Sequence, residues 1–203
     1  MLLVVLLGKR PTGALGATLV ALLACARVLE AGAIYPSFPA RALAPRLPVL
    51  DAIPRDAPVR MVAVGSLLSP NLSALYELED VRGYESMTLH AFVATYPLWC
   101  APDAVWFNRV DDLEKPFLSF LNVGYALVPP GLPAPPGWTL RSRGPGADLL
   151  QNERCLPRAF APPWIRFEPD VLGGLALLKT IPDFGERGVV GSAEANGTLG
   201  WRR

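Results

Sequence analysis

From Gly13 to Tyr35 the chain is apolar almost without interruption, and it reads as one helix. A membrane span needs about 20 such residues, because each adds roughly 1.5 Å across a hydrocarbon core of about 30 Å. Gly13 to Ala26 alone is too short. Extended to Ile34 the run is long enough, but it takes in Arg27 and Glu30. Residues three apart share a helix face, so these two can pair. Near the end of a span Arg27 can snorkel toward the headgroups. Tyr35 suits the interface there, and Pro36 stops the helix. With Lys9 and Arg10 in the cytoplasm, everything after about residue 35 lies on the far side. The competing reading is a secretory signal peptide, with Lys9 and Arg10 as its charged region and Ala31-Gly32-Ala33 as its cleavage site. The run Leu2 to Leu7 argues for the span, since it reads as the tail of an earlier helix in a fragment of a polytopic protein.

Beyond the apolar helix the period changes. Residues 36–58 read as a Pro-rich connector. Val59 to Val64 alternates and is β-branched, which predicts a first strand. Asn71 is placed to cap a helix over Leu72 to Leu78, with Glu77 and Glu79 on its wet side. Gly83 marks a break that needs special backbone freedom. Helices are predicted over Met87 to Tyr96, Asp112 to Leu121 and Pro169 to Lys179, the last with Pro in its first turn. Strands are predicted over 124–128, 138–141, 147–152, 158–164 and 187–190. The Pro-rich stretch 129–137 reads as an extended loop, and 191–203 as a loose tail. Strands and helices mix without strict alternation. The expected class is therefore α/β or α+β, a mixed sheet with flanking helices over 59–190, preceded by a membrane segment over 1–35.

Composition narrows the function classes. The net charge is +1 over 203 residues, so no basic excess favours nucleic acid. Cys25, Cys100 and Cys155 show no paired metal spacing. Cys25 lies in the apolar helix, while Cys100 and Cys155 are either a disulfide or two buried thiols. The single histidine, His90, has no nucleophile beside it in the sequence and reads as a partly buried structural residue. Asp111-Asp112 and the Glu77/Glu79/Asp80 group read as solvated helix ends rather than acid/base pairs. Trp138, in its Pro-rich loop, is a candidate for the membrane interface. Asn71-Leu72-Ser73 and Asn196-Gly197-Thr198 match the glycosylation acceptor pattern, which matters only in a secreted eukaryotic protein. No catalytic residue, metal or cofactor is assigned.

Three phrases in order carry a resemblance. They are Ser69 to Tyr76 running into Arg82-Gly83-Tyr84-Glu85-Ser86, then Leu121 to Val128, then Gln151-Asn152-Glu153 with Leu156-Pro157-Arg158-Ala159-Phe160. The set resembles the extracytoplasmic region of YfhO-like bacterial membrane proteins over about Gly13 to Val190. Members of that family are similar to lipid-linked sugar transferases of the GT-C architecture. The resemblance implies a polyprenyl-phosphate sugar donor, a cell-envelope acceptor polymer, and a mixed α/β domain outside the bacterial cell membrane. It also implies that the catalytic region and the remaining spans of the parent protein lie outside this sequence.

Four residues stand out as substrate-binding candidates. Asn71 could contact sugar or lipid phosphate, or simply cap its helix. Tyr84 could stack on a sugar, or pack on the sheet at a tight turn. Asn152 and Arg158 could form one polar cluster on neighbouring strands, or a satisfied strand-end network. Two readings follow. One is the extracytoplasmic domain fragment of a YfhO-like polytopic protein, assisting sugar transfer from a lipid-linked donor. The other is a non-enzymatic exported or membrane-tethered binding domain of the cell envelope.

Overall fold

A computed structural model of the protein describes residues 13–34, 39–83, 89–101 and 108–191. The chain divides into two compact units, Met1–Arg46 and Leu47–Arg203. In the first, helix α1 (Gly13–Ile34) is apolar on every side. Its stretch Gly13–Ala31 is long and apolar enough to cross a bilayer, and none of it is buried in the protein. Its polar groups are satisfied locally. Thr18 donates to the Ala14 carbonyl at 2.9 Å, and Arg27 donates to Glu30 at 2.6 Å across one turn. Such a helix is compatible with a membrane anchor and equally with a signal sequence. A short helix, α2 (Ala40–Leu43), follows.

The second unit is built on a five-stranded mixed sheet in the order β2-β1-β3-β5-β4. The strands are β1 (Arg60–Ala63), β2 (Glu79–Asp80), β3 (Val123–Val128), β4 (Trp138–Arg143) and β5 (Asp148–Asn152). Strand β1 pairs in parallel with both β2 and β3, whereas β3, β5 and β4 are antiparallel neighbours. The side-chain period of two sorts the core onto two faces. Met61, Ala63, Tyr125, Leu127 and Leu149 enter one apolar cluster; Val62, Ala126, Val128 and Leu150 enter the other. Every residue of β3 is buried, as a central strand covered on both faces requires.

The first cluster is closed by Val49, Leu50 and Ile53, on and just after a 3₁₀ turn over Pro48–Ala52. The Pro-rich connector is therefore shorter than the expected 36–58, because apolar residues within it are needed to cover the sheet. The second cluster is closed by Trp99, by Phe117 and Leu118 of α4 (Pro116–Phe120), and by Ile181 and Phe184. A separate parallel pair, β6 (Trp164–Phe167) and β7 (Arg187–Val190), is joined through helix α5 (Val171–Leu178). A short helix, α3 (His90–Val93), precedes Trp99.

The mixed α/β class is as expected, and several boundaries moved for identifiable reasons. Helix α4 starts at Pro116 and not at Asp112, since proline is tolerated only in a first helical turn. The strand expected over 158–164 is instead β6, starting at Trp164. Pro162 and Pro163 supply no backbone donor for a ladder. The stretch 72–78 forms only a 3₁₀ turn, Leu72–Tyr76. Part of the helix expected over Met87 to Tyr96 lies outside the described residues. The rest is α3 and a 3₁₀ turn, Tyr96–Leu98, that contains Pro97 instead of ending before it. Asp170, one residue later than the proline expected to open the last helix, caps α5 by accepting from the Gly173 amide at 2.6 Å. His90 is exposed at the start of α3, not partly buried. Trp138 is buried, its indole donating to the Leu113 carbonyl at 2.9 Å, so it is a core residue and not a membrane-interface one.

Candidate functional site

The structure describes three of the four candidate residues, Asn71, Asn152 and Arg158, each on a different segment. Asn71 sits in the left-handed region (φ 69°) and makes no cap hydrogen bond with its side chain. The expected N-cap is thus replaced by a backbone turn that Asn tolerates better than most residues. Tyr84 lies outside the described residues. Arg158 is on a loop, where it donates to the Pro58 carbonyl at 3.0 Å and pairs with Glu79. The Arg158 hydrogen bond to Glu79 lowers the Glu79 carboxyl pKa from its ordinary value, with Arg60 adding to the effect.

Asn152 is buried at the end of β5 and fully engaged. Its amide donates to Ser119 Oγ at 3.1 Å and to the Val123 carbonyl at 2.8 Å, and its Oδ1 accepts from the Arg154 amide at 2.9 Å. It belongs to a satisfied strand-end network, and Arg158 is not part of it. Nearby Asn122, at φ 61°, donates to the Leu156 carbonyl at 2.8 Å. Its own buried Oδ1 has no partner among the described residues.

The most heavily bonded ion pair is one that its acidic neighbourhood disguised. Asp80 is no solvated helix end: its side chain is 2% exposed, and the Arg82 side chain is 0% exposed. Arg82 Nη2 donates to Asp80 Oδ2 at 2.7 Å and Nε bridges both oxygens at 3.1 Å. The same guanidinium donates to the Leu67 and Leu68 carbonyls. Leu68 is at φ 40°, a backbone state a leucine keeps only when its surroundings hold it. The pair therefore clamps the loop after β1 onto the end of β2.

A cleft of about 470 Å³ lies between the residues before and within α4, the segment after β5, and the turn before β7. Leu113, Pro116, Leu156 and the largely buried Trp138 and Phe184 are among its apolar lining; Glu114, Lys115, Arg154 and Glu186 stand among its charged residues. The antiparallel pairing of β4 and β5 places Trp138 opposite Asn152, which brings residues far apart in sequence to one wall. Gly137 is at φ 85°, and a Cβ there would stand 2.8 Å from Arg154 Nε. The positive φ favours glycine there, while the flexible Arg154 end could move aside. The Gly137 carbonyl accepts from the Glu153 amide at 2.9 Å, and the Leu156 amide donates to the Ser119 carbonyl at 3.1 Å. The wall is thus strapped at both ends. None of these four charged residues was singled out from the sequence. No spacing marks them, because strand pairing and a distant turn assemble them.

Cys100 and Cys155 are free thiols. Burial pushes both thiol pKa values up, opposed at Cys100 by the Lys115 charge and at Cys155 by the Asn122 amide. Raised thiols are poor nucleophiles near neutral pH. Among the described residues no group of three or more His, Cys, Asp or Glu side chains could hold a metal ion. No protein family, curated protein or solved structure matches this chain. The likeness to YfhO-like proteins therefore rests on the three sequence phrases.

Proposed function

We propose that this chain is a membrane-tethered, extracytoplasmic binding domain, acting with a bacterial polytopic protein of the YfhO-like kind that moves sugar from a polyprenyl-phosphate donor to an envelope polymer. In this reading the α/β unit does not do the chemistry. It holds donor or acceptor outside the membrane while the parent's remaining spans carry the reaction. One observation supports the membrane part of the proposal: α1 is a 22-residue apolar helix, and none of Gly13–Ala31 is buried among the described residues; the sugar-transfer part rests on the sequence resemblance. At roughly 25 cal/mol per Å² of apolar surface, leaving such a helix in water is strongly unfavourable, and lipid is the solvent that removes the penalty. The structural roles of the Asn152 and Arg82 networks add support, since both hold loops in place and neither presents a nucleophile beside a base.

The test is topology and processing. The full chain is expressed with a C-terminal reporter active only outside the cytoplasm, membranes are separated, and the mature N-terminus is determined. A membrane-bound, uncleaved, externally active product is expected. Cleavage after Ala33 with release of a soluble product would leave an exported binding domain instead of a tethered one. A cytoplasmic signal refutes the proposal.

A further inference from the structure

We propose that β6 is the self-association edge of this chain, pairing antiparallel with β6 of a second copy across a two-fold axis centred on Phe167. The inference is independent of where the chain resides, because it concerns how the smaller sheet is completed.

That sheet is unfinished. Strands β6 and β7 run in parallel, and no third strand joins them among the described residues. Parallel sheets occur almost only with both faces covered, and two strands alone are marginal in water. Yet no residue of β6 or β7 is buried, and neither is any of the eight residues of α5. Phe167 and Val190 are register partners, so they stand side by side on one face, 40% and 41% exposed.

The backbone shows which groups lack a partner. The Trp164 amide donates to the Glu186 carbonyl at 3.2 Å, and the Glu168 amide to the Val190 carbonyl at 3.0 Å. In a parallel ladder alternate residues face the same neighbour, so Trp164, Arg166 and Glu168 turn their backbone groups toward β7. Ile165 and Phe167 therefore turn theirs outward, along the free edge. Prolines bound this edge, with Pro162-Pro163 before it and Pro169 after it. Only Trp164 to Glu168 can pair fully, so the edge suits one short partner strand and not an open-ended ribbon.

The charge pattern of that window selects a second copy as the partner. Antiparallel pairing about Phe167 sets Phe167 opposite its twin, where the two exchange both backbone hydrogen bonds. The same register sets Arg166 opposite Glu168 of the second copy, twice over by symmetry, as an isologous interface requires. One face then carries a row of Val190, Phe167 and their two twins; the other carries two cross-strand pairs of opposite charge. Arg166 has capacity to spare: its pair with Glu168 of its own chain is long, at 4.0 Å, and its buried Nε has no partner among the described residues. Registers centred on Arg166 or on Glu168 would instead set like charges opposite each other. A lipid surface would not complete this edge, because hydrocarbon offers the Ile165 and Phe167 backbone no hydrogen bond.

The experiment is sedimentation velocity on the full chain in detergent micelles at micromolar concentration, where a dimer is expected. Arg166→Glu alone, or Glu168→Arg alone, sets like charges at both cross-strand positions and should weaken the dimer about tenfold. Combining the two reversals restores opposite charges and should restore the dimer. Near-UV circular dichroism checks the fold of each variant. A cysteine pair tests the register without touching the charges. With Cys25→Ser in place, Phe167→Cys should give a disulfide-linked dimer on mild oxidation, since the Cα atoms of a bonded antiparallel pair lie about 5.5 Å apart. Leu140→Cys, on the exposed edge strand β4, should not. If a charge reversal fails to fold, the cysteine comparison decides alone. A monomeric chain overturns the proposal, whether lipid or another protein then meets β6. So does a dimer indifferent to the single reversals, a folded double reversal that stays monomeric, or equal cross-linking at Phe167 and Leu140.

Discussion

Asp80→Ala is the substitution that most directly probes how this fold is held. It removes the carboxylate from an ion pair whose side chains are 0% and 2% exposed. The Arg82 guanidinium would lose three contacts to that carboxylate, at 2.7, 3.1 and 3.1 Å, and the Arg82 amide would lose a fourth at 2.9 Å. What remains is a buried cation that keeps its Leu67 and Leu68 carbonyl partners and has lost the Asp80 carboxylate. Breaking a buried pair from one side costs about 3–5 kcal/mol, because the surviving charge stays desolvated. Domains of this size have total stabilities of roughly 5–15 kcal/mol, so the loss is a large share. The assay is urea unfolding of the full chain in detergent, followed by tryptophan fluorescence. Thermal melting gives a parallel reading, with Tm expected to fall by roughly 6–20 °C. The double variant Asp80→Leu with Arg82→Met should recover part of the loss, since it removes the buried charge together with the carboxylate but leaves the Leu67 and Leu68 carbonyls without the guanidinium. The reasoning fails if Asp80→Ala costs less than about 1 kcal/mol, the scale of an exposed pair. It fails equally if the double variant is as unstable as the single one, which would place the cost in packing and not in the charge.

Other expectations follow from the same geometry. Glu79 and Arg158 are 57% and 37% exposed, so Glu79→Gln should cost under about 1 kcal/mol at pH 7, by the same unfolding assay. Because Arg158 lowers the folded-state pKa of Glu79, that small contribution is present above the ordinary glutamate pKa. It should vanish as pH falls through the depressed value, so wild type and Glu79→Gln should converge in acid. Cys100 and Cys155, with thiols raised by burial, should resist iodoacetamide in the native chain at pH 8 and react promptly in urea, read by peptide mass spectrometry. Equal labelling rates in both states would refute the shielding of buried Cys100 and half-buried Cys155. Gly137→Ala should cost about 1–2 kcal/mol from its left-handed backbone, since the flexible end of Arg154 that the new Cβ would meet can move aside. Calorimetry on that variant checks the cost.

Much of the fold was legible because local rules dominate where side chains repeat regularly. The apolar run of α1, the alternation of β1, and the buried strand β3 each follow from period and residue type. Gly83 was read as a special position, and it lies at φ 42°. Prolines were harder to read. Each says where a ladder or helix cannot run, but not which allowed structure takes its place. Pro97 sits inside a 3₁₀ turn, Pro116 opens α4, and Pro162-Pro163 delays β6. Strand β2 is two residues long, too short for any pattern to announce it.

The sequence by itself determined that an apolar helix precedes a mixed α/β unit, that Asn152 sits at a strand end, and that no nucleophile-base set is written in order along the chain. Those conclusions rest on composition and period, which neighbouring residues fix among themselves. Tertiary structure alone decided which charges are buried and which groups meet. Asp80 and Glu79 are adjacent, yet one is sealed against Arg82 and the other is open to solvent beside Arg158. The difference is the pleat, which sends successive side chains to opposite faces. The cleft, too, exists only after β4 pairs with β5 and the turn before β7 closes against Trp138 and α4. Its residues are spread from Leu113 to Glu186, and no local rule connects positions that far apart.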